Sequence, residues 1–291
     1  MVKATDVSRL FLQAVISRKY ISDDLIRILW KKCHDAVRDA DADAGVEYNE
    51  AGFEDFIDKT NESLNPVGLE MRSLYDEVTG IRMWALVNTK GDEISQMATD
   101  YTPQEMAFFK QIIEQIITAP NEAFSVSSMA ALRTVNNLPV KSTMTKSQAE
   151  AVLGSFVARN WLVKSSRGRY SLSGRSLLEL LPYLKSTYDE DMLECTLCLE
   201  VCTRGVACYT PACKGRLHDH CYKRYRASNA RCPACAADWS RADKLRKVGE
   251  EAAKDGDDRR SRRQRTGSTN SGDEDELAPN GTMEDQEMDE D

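Results

Sequence analysis

At 291 residues the chain has room for about two folded units of roughly 100–200 residues each, with space left for a small module or a tail. Hydrophobic residues make up 41% and charged residues 30%, which suits a folded protein carrying a solvated segment. Net charge is −8, but residues 271–291 hold ten of the 47 acidic residues and none of the 39 basic ones, leaving the rest at +2, so bulk charge excludes no class of partner.

Nothing approaches the roughly 18 uninterrupted apolar residues of a membrane span, and Gln13 breaks the run from Leu10 to Ile16, so a soluble chain without a secretory signal is expected. Three helical stripes come first: Val7, Leu10, Phe11, Ala14 and Val15; then Leu25, Ile28, Leu29, Cys33 and Ala36 after Ser22; then Phe53, Phe56 and Ile57. Beyond Pro66, Leu69 and Met71 alternate, as do Ile81, Met83, Ala85 and Val87, and they bracket a turn from Asp76 to Gly80. Three helices followed by a hairpin is the winged-helix order.

The order recurs. Thr102, Pro103 and Glu105 form a capping box with proline in the first turn, opening a helix with the face Met106, Phe109, Ile112, Ile113 and Ile116. A shorter helix covers Ser127 to Val135. A third follows Thr145, where Gln148 completes a second capping box and Ala149, Val152, Leu153, Phe156 and Val157 form the stripe. Trp161 to Val163 and Arg169 to Leu172 then flank a turn at Ser165–Gly168. The expected fold class is α+β, with a first winged helix over 1–100, a second over 101–188, a zinc finger over 189–242 and a disordered basic, then acidic, tail over 243–291.

Eight of the nine cysteines lie in the span from Cys195 to Cys235, which is metal-ligand clustering and not a secreted disulfide framework. The spacing is Cys195-x2-Cys198-x9-Cys208-x4-Cys213-x4-His218-x2-Cys221-x10-Cys232-x2-Cys235. Eight ligands make two tetrahedral Zn2+ sites, and a closed four-ligand site leaves no position for water, so these metals are structural. Which pairs share an ion is open from the spacing alone. The spacing resembles RING-type fingers, and their cross-brace implies one ion for Cys195, Cys198, His218 and Cys221 and another for Cys208, Cys213, Cys232 and Cys235. Cys202 and His220 are left as non-ligands, and Cys33 with His34 reads as a core cysteine beside a surface histidine.

Taken with Asn65–Arg72, Trp84–Thr89, Asp92–Thr99 and Tyr101–Pro103, the finger resembles the non-structural maintenance of chromosomes element 1 family, RING-like subunits of the structural maintenance of chromosomes 5/6 complex. The resemblance covers most of residues 5–240. It implies tandem winged helices docking a MAGE-domain subunit, a kleisin subunit in the same assembly, a nuclear location, and a role in DNA repair, recombination and chromosome maintenance. It also implies a RING-type ubiquitin transferase that holds a ubiquitin-charged conjugating enzyme, with Leu197 and Pro233 as contacts and no catalytic side chain of its own. The alternative is a non-catalytic scaffold of the same complex. The finger departs from common RINGs in its x4 second pair, in the long interval before His218, and in Ala236, where active ligases often carry a basic residue.

A plant-homeodomain finger shares the ligand order but usually has an aromatic where this chain has Ala230. Tyr222 and Tyr225, which a methyl-lysine cage would need, read as packing residues. Weak DNA contact is a further expectation, from Lys164, Arg167, Arg169 and Arg175 on the second wing. Arg259, Arg260, Arg262, Arg263 and Arg265 read as nuclear targeting or phosphate binding.

Overall fold

The structure is a computed structural model and describes residues 5–42, 45–89, 101–138, 144–254 and 256–257. The stretch Asp92–Thr99, the arginine cluster from Arg259 and the acidic end lie outside these residues. Among the described residues no helix is long and apolar enough to cross a membrane.

The first unit runs α1 (Thr5–Arg18), β1 (Tyr20–Ser22), α2 (Asp23–Ala40), α3 (Phe53–Leu64), β2 (Leu69–Tyr75) and β3 (Arg82–Asn88), with an antiparallel sheet in the order β1-β3-β2. This is the winged-helix topology, with β1 added to what the sequence predicts. Val7, Phe11 and Val15 of α1 are buried as expected, but Leu10 is exposed. The buried face of α2 is Ile26, Trp30, Cys33 and Val37, whereas Leu25 and Ile28 point to solvent. The helix is rotated from the expected stripe because Trp30 packs between Phe53, Phe56 and Tyr48, with ring centroids 5.0–5.4 Å away. Asp23 anchors the sheet to this helix by accepting from Trp84 Nε1 at 2.8 Å and pairing with Arg27 at 2.7 Å.

The second unit repeats the plan with α4 (Pro103–Ile117), β4 (Val126–Ser127), α5 (Ser128–Arg133), α6 (Lys146–Ala158), β5 (Leu162–Lys164) and β6 (Arg169–Leu172), in the sheet order β4-β6-β5. Both capping boxes form. The Glu105 amide donates to Thr102 Oγ1 at 3.3 Å and the Thr102 amide to Glu105 Oε2 at 2.7 Å; Thr145 and Gln148 match this at 3.2 and 2.8 Å. Phe108 and Ile117 join the expected face of α4 in the core, so this helix is covered on more than one side.

Two further helices follow, α7 (Gly174–Glu179) and α8 (Leu181–Tyr188). Leu178 of α7 packs on Ala85 and Val87, the face of β3 opposite Trp84. The first sheet is therefore buried on both sides, and burying one leucine side chain in such a place is worth about 1.5–3 kcal/mol. This clamp joins the two winged helices.

The finger contains β7 (Gly205–Ala207), β8 (Arg216–Leu217), α9 (Asp219–Arg226) and β9 (Arg246–Val248), with the sheet order β8-β7-β9. Since β9 pairs with β7 and Val248 enters the core shared with the second unit, structured chain extends past the expected boundary at 243. The polar composition there hides a strand that needs only Leu245 and Val248 buried.

Candidate metal centres

Two loops of the finger have one design. In the first, the Leu199 amide donates to the Cys195 carbonyl at 2.9 Å, with Leu199 in the left-handed region at φ 60°. In the second, the Ala236 amide donates to the Cys232 carbonyl at 3.0 Å, with Ala236 at φ 58°. Each tight turn aims two sulfurs at one point, and a non-glycine residue held at positive φ costs about 1–2 kcal/mol. Amides of Thr210, Gly215 and Ala234 donate to the sulfurs of Cys208, Cys213 and Cys232 at 3.4–3.5 Å, and Trp239 Nε1 donates to Cys208 Sγ at 3.4 Å.

The ligand atoms of Cys195, Cys198, His218 and Cys221 all lie within 4.8 Å of one another, as do those of Cys208, Cys213, Cys232 and Cys235. This is the cross-braced pairing. Regular tetrahedral Zn–S bonds of about 2.3 Å would place sulfurs about 3.8 Å apart; Cys208 to Cys235 is 3.6 Å and Cys213 to Cys232 is 3.8 Å. His218 Nδ1 stands 3.3 Å from Cys198 Sγ and 3.9 Å from Cys221 Sγ, so Nδ1 is the ring atom that faces the cluster. Both clusters can hold a metal ion, and thiolate and imidazole donors at these spacings fit zinc.

Electrostatics point the same way. Burial raises the Cys195 thiol, but the His218 ring and nearby amides overcome this and bring it down to about 5. Burial likewise opposes ionisation of Cys208, while Thr210 and Trp239 bring it down to about 6. Burial and neighbouring thiols push Cys221 up to about 11 and Cys232 up to about 12. Each cluster thus ionises in part on its own, and a divalent cation is what would hold all of its thiolates together.

Gly205 sets the register behind the first centre. At φ 152° a Cβ there would stand 2.1 Å from the Leu217 carbonyl oxygen and 2.9 Å from His218 Cα, so only glycine lets β7 approach β8. From the second winged helix, Glu122 pairs with Arg216 of β8 at 2.6 and 2.9 Å and accepts the Gly249 amide on its carbonyl at 2.8 Å. Asn121, Glu122 and Phe124 all have positive φ, a strained loop held by these contacts.

The other expected residues fall as follows. Leu197 and Leu199 are exposed on the first knuckle and Pro233 is half-buried on the second. Cys202 lies outside both four-ligand clusters, with Sγ 3.6 Å from the Arg204 carbonyl, and His220 stacks on His218 at 5.2 Å. Tyr222 packs at 6.1 Å from Trp239, and Tyr225 caps the Arg231 carbonyl at 3.0 Å, so neither joins an aromatic cage. On the second wing, Lys164 lies over Tyr170, Arg167 reaches the Glu250 carbonyl at 3.4 Å, and Arg169 donates to Ser125 at 2.8 and 2.9 Å. Arg175 is not on the wing. It is buried in α7, paired with Glu179 at 2.6 Å and stacked 3.9 Å over Trp161. His34 is also not a surface residue, since both ring nitrogens are buried between Trp30 and Tyr48. Glu77, which composition does not flag, reaches the first centre from the first wing and lies 3.3 Å from His218 Nε2.

Tandem winged helices joined to a cross-braced finger with eight ligands define a chain of the RING-like class. A family model described as "Nse1 non-SMC component of SMC5-6 complex" matches residues 8–180, and a RING-like domain model matches residues 195–235. The chain is 34% identical over 237 residues to the non-structural maintenance of chromosomes element 1 homolog of Homo sapiens, covering 81% of this chain and 84% of that protein. To the Schizosaccharomyces pombe element 1 it is 29% identical over 198 residues, 67% and 81% of the two chains. A chain of a solved structure described as the Nse1-Nse3-Nse4 complex matches with a TM-score of 0.69 at 28% identity, covering 81% of this chain and 97% of that one. This chain belongs to the Nse1 family of non-SMC components of the SMC5-6 complex.

Proposed function

We propose that this chain is a nuclear RING-type ubiquitin ligase subunit of a structural maintenance of chromosomes 5/6 complex, acting in DNA repair and chromosome maintenance. Each of its two centres holds Zn2+. Its winged helices dock a MAGE-domain subunit and, with it, a kleisin, a reading supported by the match to a chain of the Nse1-Nse3-Nse4 complex. The observation that carries the ligase reading is the cross-brace itself, which places exposed Leu197 on one knuckle and Pro233 on the other, the two positions a conjugating enzyme would meet.

With seven of its thiols gathered in the two centres and Cys202 buried, the finger's contribution is positioning: it would hold the charged enzyme with its thioester presented to a lysine. Ala236 supplies no cation to ubiquitin, which makes the partner-bound chain the form to assay. The test is discharge of ubiquitin from a charged conjugating enzyme onto free lysine, with and without the MAGE-domain partner. Stimulation that Leu197→Ala abolishes is the expected result. No stimulation in either state would leave a zinc-braced scaffold of the same complex.

A further inference from the structure

The turn between β2 and β3 closes on itself without Glu77. Asp76 Oδ1 accepts from the Thr79 amide at 2.8 Å, the Thr79 hydroxyl at 2.7 Å and the Val78 amide at 3.3 Å, while the Gly80 amide donates to the Asp76 carbonyl at 2.8 Å. Glu77 is therefore free to leave the first winged helix, and it enters the finger. Its Oε1 accepts from the amides of Thr203 at 2.6 Å and Arg204 at 3.3 Å, and Oε2 accepts from the Thr203 hydroxyl at 2.6 Å. The side chain retains only 12% of its exposure there.

The same Oε1 stands 3.3 Å from His218 Nε2, which also faces the Val201 carbonyl at 2.8 Å. Since Nδ1 faces the cysteines, Nε2 carries the proton toward these two acceptors. That fixes the tautomer in which Nδ1 keeps its lone pair for a metal. His220, two residues on, grips the turn from its other side: Nδ1 lies 3.4 Å from the Glu77 carbonyl oxygen, and its ring packs so close to Gly80 that a Cβ there would stand 3.0 Å from Cγ.

We propose that Glu77 is the outer carboxylate partner of the histidine-containing centre, so that docking of the first wing and occupancy of that centre are one linked equilibrium. A carboxylate on the far nitrogen orients the imidazole and raises its basicity, and its three hydrogen-bond donors offset the cost of placing a negative group beside a thiolate-rich site. Linkage is reciprocal. A metal held at the first centre fixes the ring that receives Glu77, and a seated wing tightens the metal. The all-cysteine centre has no such partner among the described residues. The inference rests on the zinc reading above.

The test uses the full chain loaded with cobalt, whose absorption separates a three-sulfur from a four-sulfur site, and follows metal transfer to a chelator in wild type, Glu77→Gln and Glu77→Ala. Glu77→Gln keeps the shape and one acceptor but not the charge, and it remains informative if the alanine variant misfolds. Release from the histidine-containing centre should quicken by about tenfold, the low end for losing such a partner, with the all-cysteine centre unchanged. Amide exchange across Asp76–Gly80 should rise when wild-type protein is stripped of metal. Wild-type release rates in both variants, equal acceleration at both centres in Glu77→Gln, or protection of the turn that ignores stripping would each overturn the proposal. Failure of the native chain to hold any metal at Cys195 would instead defeat the zinc reading.

Discussion

The winged helices and the finger both bury a core, but with different materials. The first unit closes on Phe11, Ile26, Trp30 and Phe53, and the second on Phe108, Phe109, Ile112 and Phe156, all from helices whose stripes face one another. The finger's cluster is Cys195, Cys202, Cys208, Cys221 and Cys232 with Val206, Leu217, Trp239 and Leu245 buried among them and Tyr222, Tyr225 and Ala237 packed against the outside. An apolar core is the sum of many interchangeable contacts, and a small loss is shared among them. A segment of some 40 residues is instead too small to fold on area alone, and with the proposed ion at each centre it would depend on two point contributions.

The largest effect that would break this comparison is metal removal. Chelation withdraws on the order of 10 kcal/mol per structural site, so the segment from Cys195 to Trp239 should lose amide protection while α1 to α3 keep theirs. Equal loss in both would mean that the winged helices have no core of their own. The neighbouring second unit should respond in part, because Val201, Ala207 and Val248 belong to its core.

A sharper probe lies inside the second unit. Arg175 and Glu179 form a buried ion pair; burial pushes the Glu179 carboxyl up and Arg175 holds it down. Arg175→Ala strands that carboxylate and should cost about 3–5 kcal/mol, seen as a lower urea midpoint, with metal content unaltered. Loss of metal in this variant would show that the two regions are not separable.

The smallest effect is a pH dependence confined to the first unit. Burial holds His34 below its ordinary value, opposed only by the nearby Asp35 charge, and its ring nitrogens have no partner among the described residues. The unfolded chain takes up a proton near pH 6.5 that the folded one resists. Stability should therefore be full above that value and decline as pH falls through it. His34→Phe should narrow the difference in urea midpoint between about pH 7.5 and about pH 5.5, and an unchanged difference would refute the assignment.

What the sequence makes legible here is local. Thr102 with Glu105 and Thr145 with Gln148 act within one helical turn, and the cysteine spacings report loops that each carry their own geometry. What it hides depends on a neighbour. β1 and β4 are three and two residues long and exist only as partners of β3 and β6. The face of α2 follows the position of Trp30 against α3, and alternation along β3 gives the wrong single-sided picture because α7 covers the second face. Arg175 looks like a wing residue until Glu179 is found beside it, and Glu77 looks like one more exposed acid until the finger folds over it.

The central claim is that two metal ions, one per cluster, brace the finger. Native mass spectrometry of the full chain, paired with amide exchange over Cys195–Cys235, tests it directly. The account predicts two zinc ions per chain and collapse of that protection as they leave; a protein that carries none, yet retains full protection there, would contradict it.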